Sequence, residues 1–310
     1  MTRILAIGAG AWGKNIVATL HAMGALSGIV EGSAKRREEL RLQYPGLPVF
    51  ESLAEAPLGT YDAATVATPA ETHYEIARLL LESGKDVFVE KPVTLNRADA
   101  QALVKLAGDQ GRLLMAGHLL LYQPAIRFVK DAIASGKIGK LLSLHQERLN
   151  LGRARRVENA LWSLGVHDVA VLLYLQGSSP SAVSFSGQAA LNGGIEDDTY
   201  VHMSFGDGSQ AHVHNSWLWP ERRRRLTVIG DRAMLVYDEL EQKIWLHKKG
   251  VDAQTLESRD AGVELVFEGA SEPLRLEMEH FAECVRTRKE PESGAQNTLA
   301  VMDVLERARP

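Results

Sequence analysis

The sequence predicts an α/β protein: an N-terminal doubly wound parallel sheet, followed by an α+β domain on a large, open, mostly antiparallel sheet. Three observations predict it. Short apolar runs alternate with longer helical periods over the first 117 residues. A glycine-rich turn, Gly8-Ala9-Gly10-Ala11-Trp12-Gly13, joins the first apolar run, Ile4-Leu5-Ala6-Ile7, to the first helical one. Beyond Gly117 the pattern changes to strands separated by turn residues such as Gly206-Asp207-Gly208. Alternating strands and helices make a parallel sheet covered on both faces, whereas hairpin-linked strands make an antiparallel one with a face left free. The boundary falls near Gly117, giving domains 1–117 and 118–310.

In the first half, strands are expected at Arg3 to Ile7, Ala25 to Glu31, Val49-Phe50, Ala63 to Ala67, Asp86 to Glu90 and Leu113 to Ala116. Helices are expected at Lys14 to Met23, Ala34 to Gln43, Thr72 to Ser83 and Arg97 to Gln110. In the second half, Ala125 to Ser135 reads as an amphipathic helix ended by Gly136, and Leu141 to Leu149 as a strand. A polar stretch, 150–159, leads to a helix from His167 to Leu175. Six strands follow, at Ala182 to Ala189, Asp198 to Phe205, Ser209 to Trp217, Arg223 to Ile229, Ala233 to Asp238 and Lys243 to His247. Leu274 to Arg286 and Ala295 to Arg307 read as closing helices.

The chain has 310 residues, 45% hydrophobic and 24% charged, with a formal net charge of −4. That balance gives no global attraction to nucleic acid or anionic membrane. The one cysteine, Cys284, allows no internal disulfide and suits a reducing cytoplasm. No signal peptide or bilayer-length apolar run is read, so the expectation is a cytoplasmic protein. Cys284 reads as a small buried hydrophobe.

The glycine turn has the G-x-G-x-x-G order of a dinucleotide site in a Rossmann fold. Gly8 makes the tight turn, Gly10 admits a pyrophosphate to the backbone at the helix N-terminus, and Gly13 lets helix and strand pack closely. Glu31 ends the second apolar run, about 20 residues on, where ribose hydroxyls of NAD are held. A carboxylate there repels a 2′-phosphate and favours NAD; Ser33, Lys35, Arg36 and Arg37 follow closely and can bind one, so NADP stays open. Ligands in such sheets lie beyond the strands' carboxyl ends. Thr68-Pro69 and Glu90-Lys91-Pro92 follow strands, and Thr72 reads as a helix cap. His73 is either a surface residue of a first helical turn or a cofactor contact. Lys91 is a candidate for hydroxyl binding or proton transfer. The cofactor set is therefore Gly8, Gly10, Ala11, Trp12, Gly13, Glu31, Thr68, Pro69, His73, Glu90, Lys91 and Pro92.

The segments G-A-G-A-W-G-K-N, A-T-P-A-E-T-H, V-E-K-P, G-H-L-L-L-Y-Q-P-A and W-S-L-G-V-H-D stand in this order through the chain. Their order and spacing resemble the glucose–fructose oxidoreductase / inositol dehydrogenase (Gfo/Idh/MocA) family over essentially the whole length. The resemblance implies that Lys91 and His167 lie at a nicotinamide. It also implies association through the open sheet of the second domain, as a dimer or tetramer. Many members carry an aspartate shortly before the histidine; Ser163 stands there, so an orienting carboxylate is missing or supplied by Asp168. His167 is the better base, since imidazole titrates near neutral pH. Lys91 then holds the substrate hydroxyl and steadies developing negative charge.

The segments around His118, Asn150 and Trp162 look most like the sugar-nucleotide branch of that family. That likeness implies NAD-dependent oxidation of the 3-hydroxyl of a UDP-sugar, UDP-N-acetylglucosamine foremost, with the ketone passed to an aminotransferase for lipid A or surface polysaccharide. The substrate-side candidates are His118, Tyr122, Asn150, Arg153, Arg156, Glu158, Asn159, Trp162 and His167. Arg153, Arg155 and Arg156 suit a diphosphate, and equally a solvated basic loop. Alternatives are an NADP-dependent keto-sugar nucleotide reductase, a UDP-sugar uronic acid 3-dehydrogenase and, in a different class, a non-catalytic NAD-binding regulator. Arg222 to Arg225 read as an exposed strand end or subunit contact. His212 and His214 read as a packed or partner-facing pair, with no metal expected.

Overall fold

A computed structural model describes residues 2–152, 154–156, 158–191, 193–252, 254–269 and 272–308. The chain divides into two compact units, residues 1–119 with 272–302, and residues 120–271 with 303–310. No helix among the described residues is long and apolar enough to cross a membrane.

In the first unit, strands β1 (Ile4–Ile7), β2 (Leu26–Val30), β3 (Val49–Phe50), β4 (Ala63–Val66), β5 (Asp86–Val89) and β6 (Leu114–Ala116) form one sheet. Its order is β3-β2-β1-β4-β5-β6, parallel throughout. The order reverses beside β1, which places the switch point at the glycine turn. Strands β1, β4 and β5 are buried at every position because helices cover both faces. Those helices are α1 (Gly13–Ala22), α2 (Ala34–Gln43), α3 (His73–Glu82) and α4 (Arg97–Asp109). Ser33 and Asn96 cap α2 and α4 through their side chains. Thr72 does not cap α3; its hydroxyl lies 2.7 Å from both Thr68 Oγ1 and the Pro69 carbonyl. The expected cap is instead a clasp on the loop before the helix.

The second unit carries α5 (Pro124–Ala134), α6 (Val166–Gln176) and an eight-stranded sheet. Its strands are β7 (Leu141–Leu151), β8 (Ala182–Gln188), β9 (Asp198–Ser204), β10 (Gln210–Ser216), β11 (Leu218–Gly230), β12 (Met234–Asp238), β13 (Lys243–Val251) and β14 (Ser258–Glu268). The order is β14-β13-β12-β11-β7-β10-β9-β8, with only β7 and β10 parallel. Alternation sorts the residues by face. Leu144, Val201, Ala211, Val213, Leu226, Val228, Leu235 and Ile244 are buried on one face. His145, Tyr200, His202, His212 and His214 lie on the other, half-buried or exposed. Of the arginine run, Arg223 pairs with Glu147 and Glu221, Arg224 with Glu239 and Arg225 with Asp238. The run lies inside β11 and not at a strand end, and Arg223, Arg224 and Arg225 each meet an acid of their own strand, a neighbouring strand or the turn beyond.

Helices α7 (Pro273–Thr287) and α8 (Ala295–Arg307) close the chain. A single cut near Gly117 puts α7 in the second domain, but its helix packs in the first unit. Phe281 meets Phe88 of β5 at 5.9 Å between ring centroids. Ser293, beyond α7, exchanges hydrogen bonds with Ala116 of β6: its hydroxyl donates to the Ala116 carbonyl and its own carbonyl accepts the Ala116 N–H. Cys284, on α7, is buried.

Candidate active site

The glycine turn is shaped by close approach. Gly8 has φ +86°, and a Cβ there would stand 2.7 Å from the Ala67 carbonyl oxygen. One on Gly13 would stand 2.2 Å from the Gly8 carbonyl oxygen. Gly10 faces open space: nothing lies within 4 Å of where its Cβ would be. The turn is thus closed on its protein side and open above Gly10, at the start of α1, which fits a dinucleotide pyrophosphate. Ala11 and Trp12 beside it are exposed.

Glu31 is held for a second contact. Its Oε2 accepts the Ala9 N–H and its Oε1 the Ser33 N–H, each at 2.9 Å. The carboxylate retains further lone pairs for ribose hydroxyls. Arg37 is turned away, buried, with its guanidinium on the Glu31 and Gly32 carbonyls and on Glu51. Arg36 spends Nε on the Ala9 carbonyl and Nη1 on Glu39.

His73 is a buried strut. Nδ1 faces the Pro92 carbonyl at 2.8 Å and Nε2 the Thr68 carbonyl at 2.9 Å. Burial lowers its pKa, against the pull of those two carbonyls. With both nitrogens facing carbonyls, of which a neutral ring can donate to one, the ring packs between the loop after β4 and the loop after β5 and offers no nitrogen to a ligand. Both sequence readings, surface residue and direct contact, give way to this one. The residue was legible; its burial was not, because it depends on where Pro92 folds back.

The Lys91–Pro92 peptide is cis. Glu90 is buried at the end of β5. Its Oε1 accepts the Trp12 indole N–H at 2.5 Å and its Oε2 the Lys91 backbone N–H at 3.1 Å. Burial pushes the Glu90 pKa up to about 7, opposed by those bonds and by the Lys91 charge. His118 is buried, and burial, assisted by the Lys91 charge, lowers it to about 4. It is a neutral imidazole whose Nδ1 has no partner among the described residues. Lys91, half-buried, therefore sits in the field of a carboxyl and an uncharged imidazole.

In the second unit, a single π-type turn, Leu161–Gly165, leads into α6, and His167 stands half-buried in that helix's first turn. Asn159 opens the turn: its Oδ1 accepts the Trp162 N–H at 3.0 Å and its Nδ2 donates to Glu196 at 2.8 Å. Asn159 is thereby a cap, while Asn150, Glu158 and Trp162 are half-buried and Arg156 is exposed. Arg155 lies 3.8 Å from Glu158. Arg153 lies outside the described residues. Tyr122 is fully buried with the Arg127 guanidinium 5.7 Å from its ring centre.

Asp168 is committed elsewhere than to an exposed site. It accepts Arg148 Nε at 2.9 Å and Asn215 Nδ2 at 2.7 Å. Arg148 also pairs with Glu239 at 2.9 Å, and Glu239 with Arg224 at 2.9 Å. Sequence reasoning missed Arg148 and Glu239, since only strand register brings them to α6. Among the described residues no cluster of three or more His, Cys, Asp or Glu side chains is arranged to hold a metal ion.

Two family models match. Residues 2–118 match the oxidoreductase family with NAD-binding Rossmann fold, and residues 126–236 the GFO/IDH/MocA C-terminal domain. UDP-N-acetylglucosamine 3-dehydrogenase of Acidithiobacillus ferrooxidans is 27% identical over 290 residues, 91% of this chain and 88% of that protein. A solved structure of that enzyme matches with TM-score 0.87 at 25% identity, covering 99% of this chain and 96% of the other. The scyllo-inositol 2-dehydrogenase (NAD(+)) of Bacillus subtilis is 26% identical over 244 residues, 74% of this chain and 69% of that protein. With both of its halves matched and a glycine turn open to a dinucleotide, the chain belongs to the Gfo/Idh/MocA oxidoreductases.

Proposed function

We propose that the protein oxidises the 3-hydroxyl of a UDP-sugar, UDP-N-acetylglucosamine foremost, with NAD as acceptor. The observation that carries the cofactor half is the Glu31 carboxylate, fixed by two backbone N–H groups beside the open glycine turn. Arg37, spent on backbone carbonyls, supports NAD over NADP. The substrate half rests on the likeness to the Acidithiobacillus enzyme over nearly the full length of both chains. The exposed Arg155 and Arg156 offer guanidinium groups to a diphosphate.

A bound nicotinamide would supply the hydride acceptor for the carbinol carbon. His167 accepts the hydroxyl proton, because an imidazole with an unperturbed pKa of about 6.5 exchanges protons near neutral pH. Lys91 donates a hydrogen bond to the substrate oxygen and steadies its growing negative charge. Glu31 holds the adenosine ribose, and the backbone N–H groups opening α1 hold the pyrophosphate. The ketone product suits amination by an aminotransferase in surface polysaccharide or lipid A assembly. The same reading places the enzyme in the cytoplasm, as an oligomer joined through the free face of the eight-stranded sheet.

The test is absorbance at the NADH band on mixing the protein with NAD and UDP-N-acetylglucosamine. Turnover is expected, and Lys91→Met is expected to remove about 10²–10⁴-fold of it while NADH binding persists. Silence with UDP-sugars and a response to free inositol or glucose overturns the substrate; normal turnover in Lys91→Met overturns the mechanism.

A further inference from the structure

A cleft of about 540 Å³ opens in the first unit, at the edge of the parallel sheet away from the glycine turn. Its walls come from residues that lead into strands. Arg3 precedes β1, Asp62 precedes β4, Lys85 precedes β5, and Arg112 stands two residues before β6. Arg286 and Arg288, at the end of α7, complete the wall. The strands are parallel, so the glycine turn and Glu90-Lys91 lie at their other ends, about 13 Å away along four residues of strand. Sheets of this kind take their dinucleotide at the carboxyl ends. The cleft is a separate place.

Five cations line it beside two acids, Asp62 and Asp86, and both acids are already engaged. Asp62 Oδ1 accepts Arg3 Nη2 at 2.9 Å, and its Oδ2 accepts the Arg3 backbone N–H at 2.8 Å. Asp86 is buried; its Oδ1 accepts the Leu113 N–H and its Oδ2 accepts Arg288 Nη1. Arg286 is paired with Glu283, one turn back on α7. Lys85 donates to the Tyr61 carbonyl at 2.9 Å and keeps two further N–H bonds. Arg112 is exposed, and its guanidinium has no acceptor among the described residues. A Cβ on Gly84 would lie 3.6 Å from Arg112 Nη2, so Arg112 stands beside the turn that carries Lys85. Three acids answer three arginines, and the charges of Lys85 and Arg112 are left over at one place.

A concave surface with surplus positive charge concentrates anions. Guanidinium forks match phosphate oxygens, and an ammonium adds a point charge. The lining also limits the rest of the ligand. Its one ring, Tyr61, is buried, with the hydroxyl turned under Gly28, where a Cβ would meet it at 2.5 Å. Val285 is its one aliphatic side chain. Nothing in the lining offers a face on which a base could stack.

We propose that this cleft binds a compact polyphosphate, either an inorganic chain or the phosphate chain of a nucleotide, with Arg112 and Lys85 as its principal contacts. A ligand there joins the starts of four strands to the end of α7, so it stabilises the first unit by mass action. It leaves the dinucleotide site free, and it depends on no assignment of the sugar substrate.

The experiment is calorimetric titration of the full chain with sodium triphosphate, at fixed ionic strength and with NADH saturating. NADH fills the site at the glycine turn, so that turn takes no part. One triphosphate per chain is expected, with a rise in melting temperature. Arg112→Glu is expected to weaken binding about tenfold or more, and so is Arg286→Glu, the second variant should the first not fold. Arg156→Glu, in the second unit, is expected to leave binding unchanged. Neither heat nor a melting shift up to about 1 mM triphosphate overturns the proposal. Binding lost in Arg156→Glu but kept in Arg112→Glu overturns it too, by placing the anion on the arginine loop. Citrate has comparable charge without phosphate geometry, and binding as tight as that of triphosphate overturns the phosphate class. ATP separates the two sources. Affinity equal to that of triphosphate upholds a nucleotide's chain, and much weaker affinity upholds an inorganic one. ATP bound about tenfold tighter than triphosphate overturns the compact ligand, since it requires a base contact that the lining lacks.

Discussion

A Cβ on Gly13 would stand 2.2 Å from a carbonyl oxygen, while one on Gly10 would stand in the open. The two glycines therefore serve different ends, and alanine separates them. Gly13→Ala forces α1 away from β1 and is expected to cost about 1–3 kcal/mol of stability, read as a lower melting temperature without cofactor. Gly10→Ala is expected to melt like the parent and to lose at least about tenfold in NADH affinity, or about 1.4 kcal/mol. The lost affinity reads as a smaller melting shift on adding NADH. An equal loss of stability in both variants contradicts the division. At this scale the sequence was most informative, because G-x-G-x-x-G and Glu31 act through local backbone geometry. His73 and Glu90 were legible as positions only. Their work depends on Pro92 and Trp12, which chain folding brings to them.

At the scale of elements, one buried network holds α6 to the sheet. Arg148 of β7 meets Asp168 of α6 and Glu239 beyond β12, Asn215 of β10 donates to Asp168, and Arg224 of β11 joins at Glu239. Burial opposes the charge on Arg148, yet Asp168 and Glu239 hold its pKa above the ordinary arginine value. Burial also works to raise both acids. It prevails at Asp168, whereas Arg148 and Arg224 together hold Glu239 low. Arg148→Met strands two buried carboxylates and is expected to cost about 3–5 kcal/mol. Without its guanidinium, Asp168 takes a proton more readily. The melting deficit is thus expected to shrink as pH falls toward 4; a deficit independent of pH contradicts the assignment. His167 precedes Asp168 directly, so the same variant tests whether the network also fixes the imidazole. No periodicity announces this network, because register across four strands assembles it. Strand β14 was missed for a related reason. Most of its residues are exposed on both sides, and Gly262 at φ +93° breaks its pattern, so neither alternation nor an apolar run marks it. The helices, most with one apolar stripe and α6 apolar nearly all round, and the wholly buried strands of the parallel sheet were legible nearly residue by residue.

At the scale of the whole molecule, the free face of the eight-stranded sheet carries the proposal of assembly. His145 stacks on His212 at 4.6 Å between ring centroids, and His202 meets His212 edge-on at 5.0 Å. Tyr200 stacks on His214 at 4.0 Å, and Trp219 stands against the same ring. The Nδ1 atoms of His202 and His212 are 2.7 Å apart, so one must donate and the other accept, and both rings cannot be charged in this arrangement. Burial lowers His145, and burial with the charges of His145 and His202 lowers His212. Imidazoles held below their solution value are uncharged above about pH 6.5, and the stability they contribute is lost as pH falls. Two imidazolium charges about 5 Å apart repel by about 3 kcal/mol at an effective dielectric of 20, enough to outweigh a modest interface. Sedimentation velocity is therefore expected to find an oligomer at pH 7.5 and smaller species at pH 5.5. Tyr200→Asp, which removes the stack on His214 and adds a carboxylate near Asp198, is expected to sediment as the smaller species at both values. A sedimentation coefficient unchanged by acid and by that substitution removes this face from the assembly.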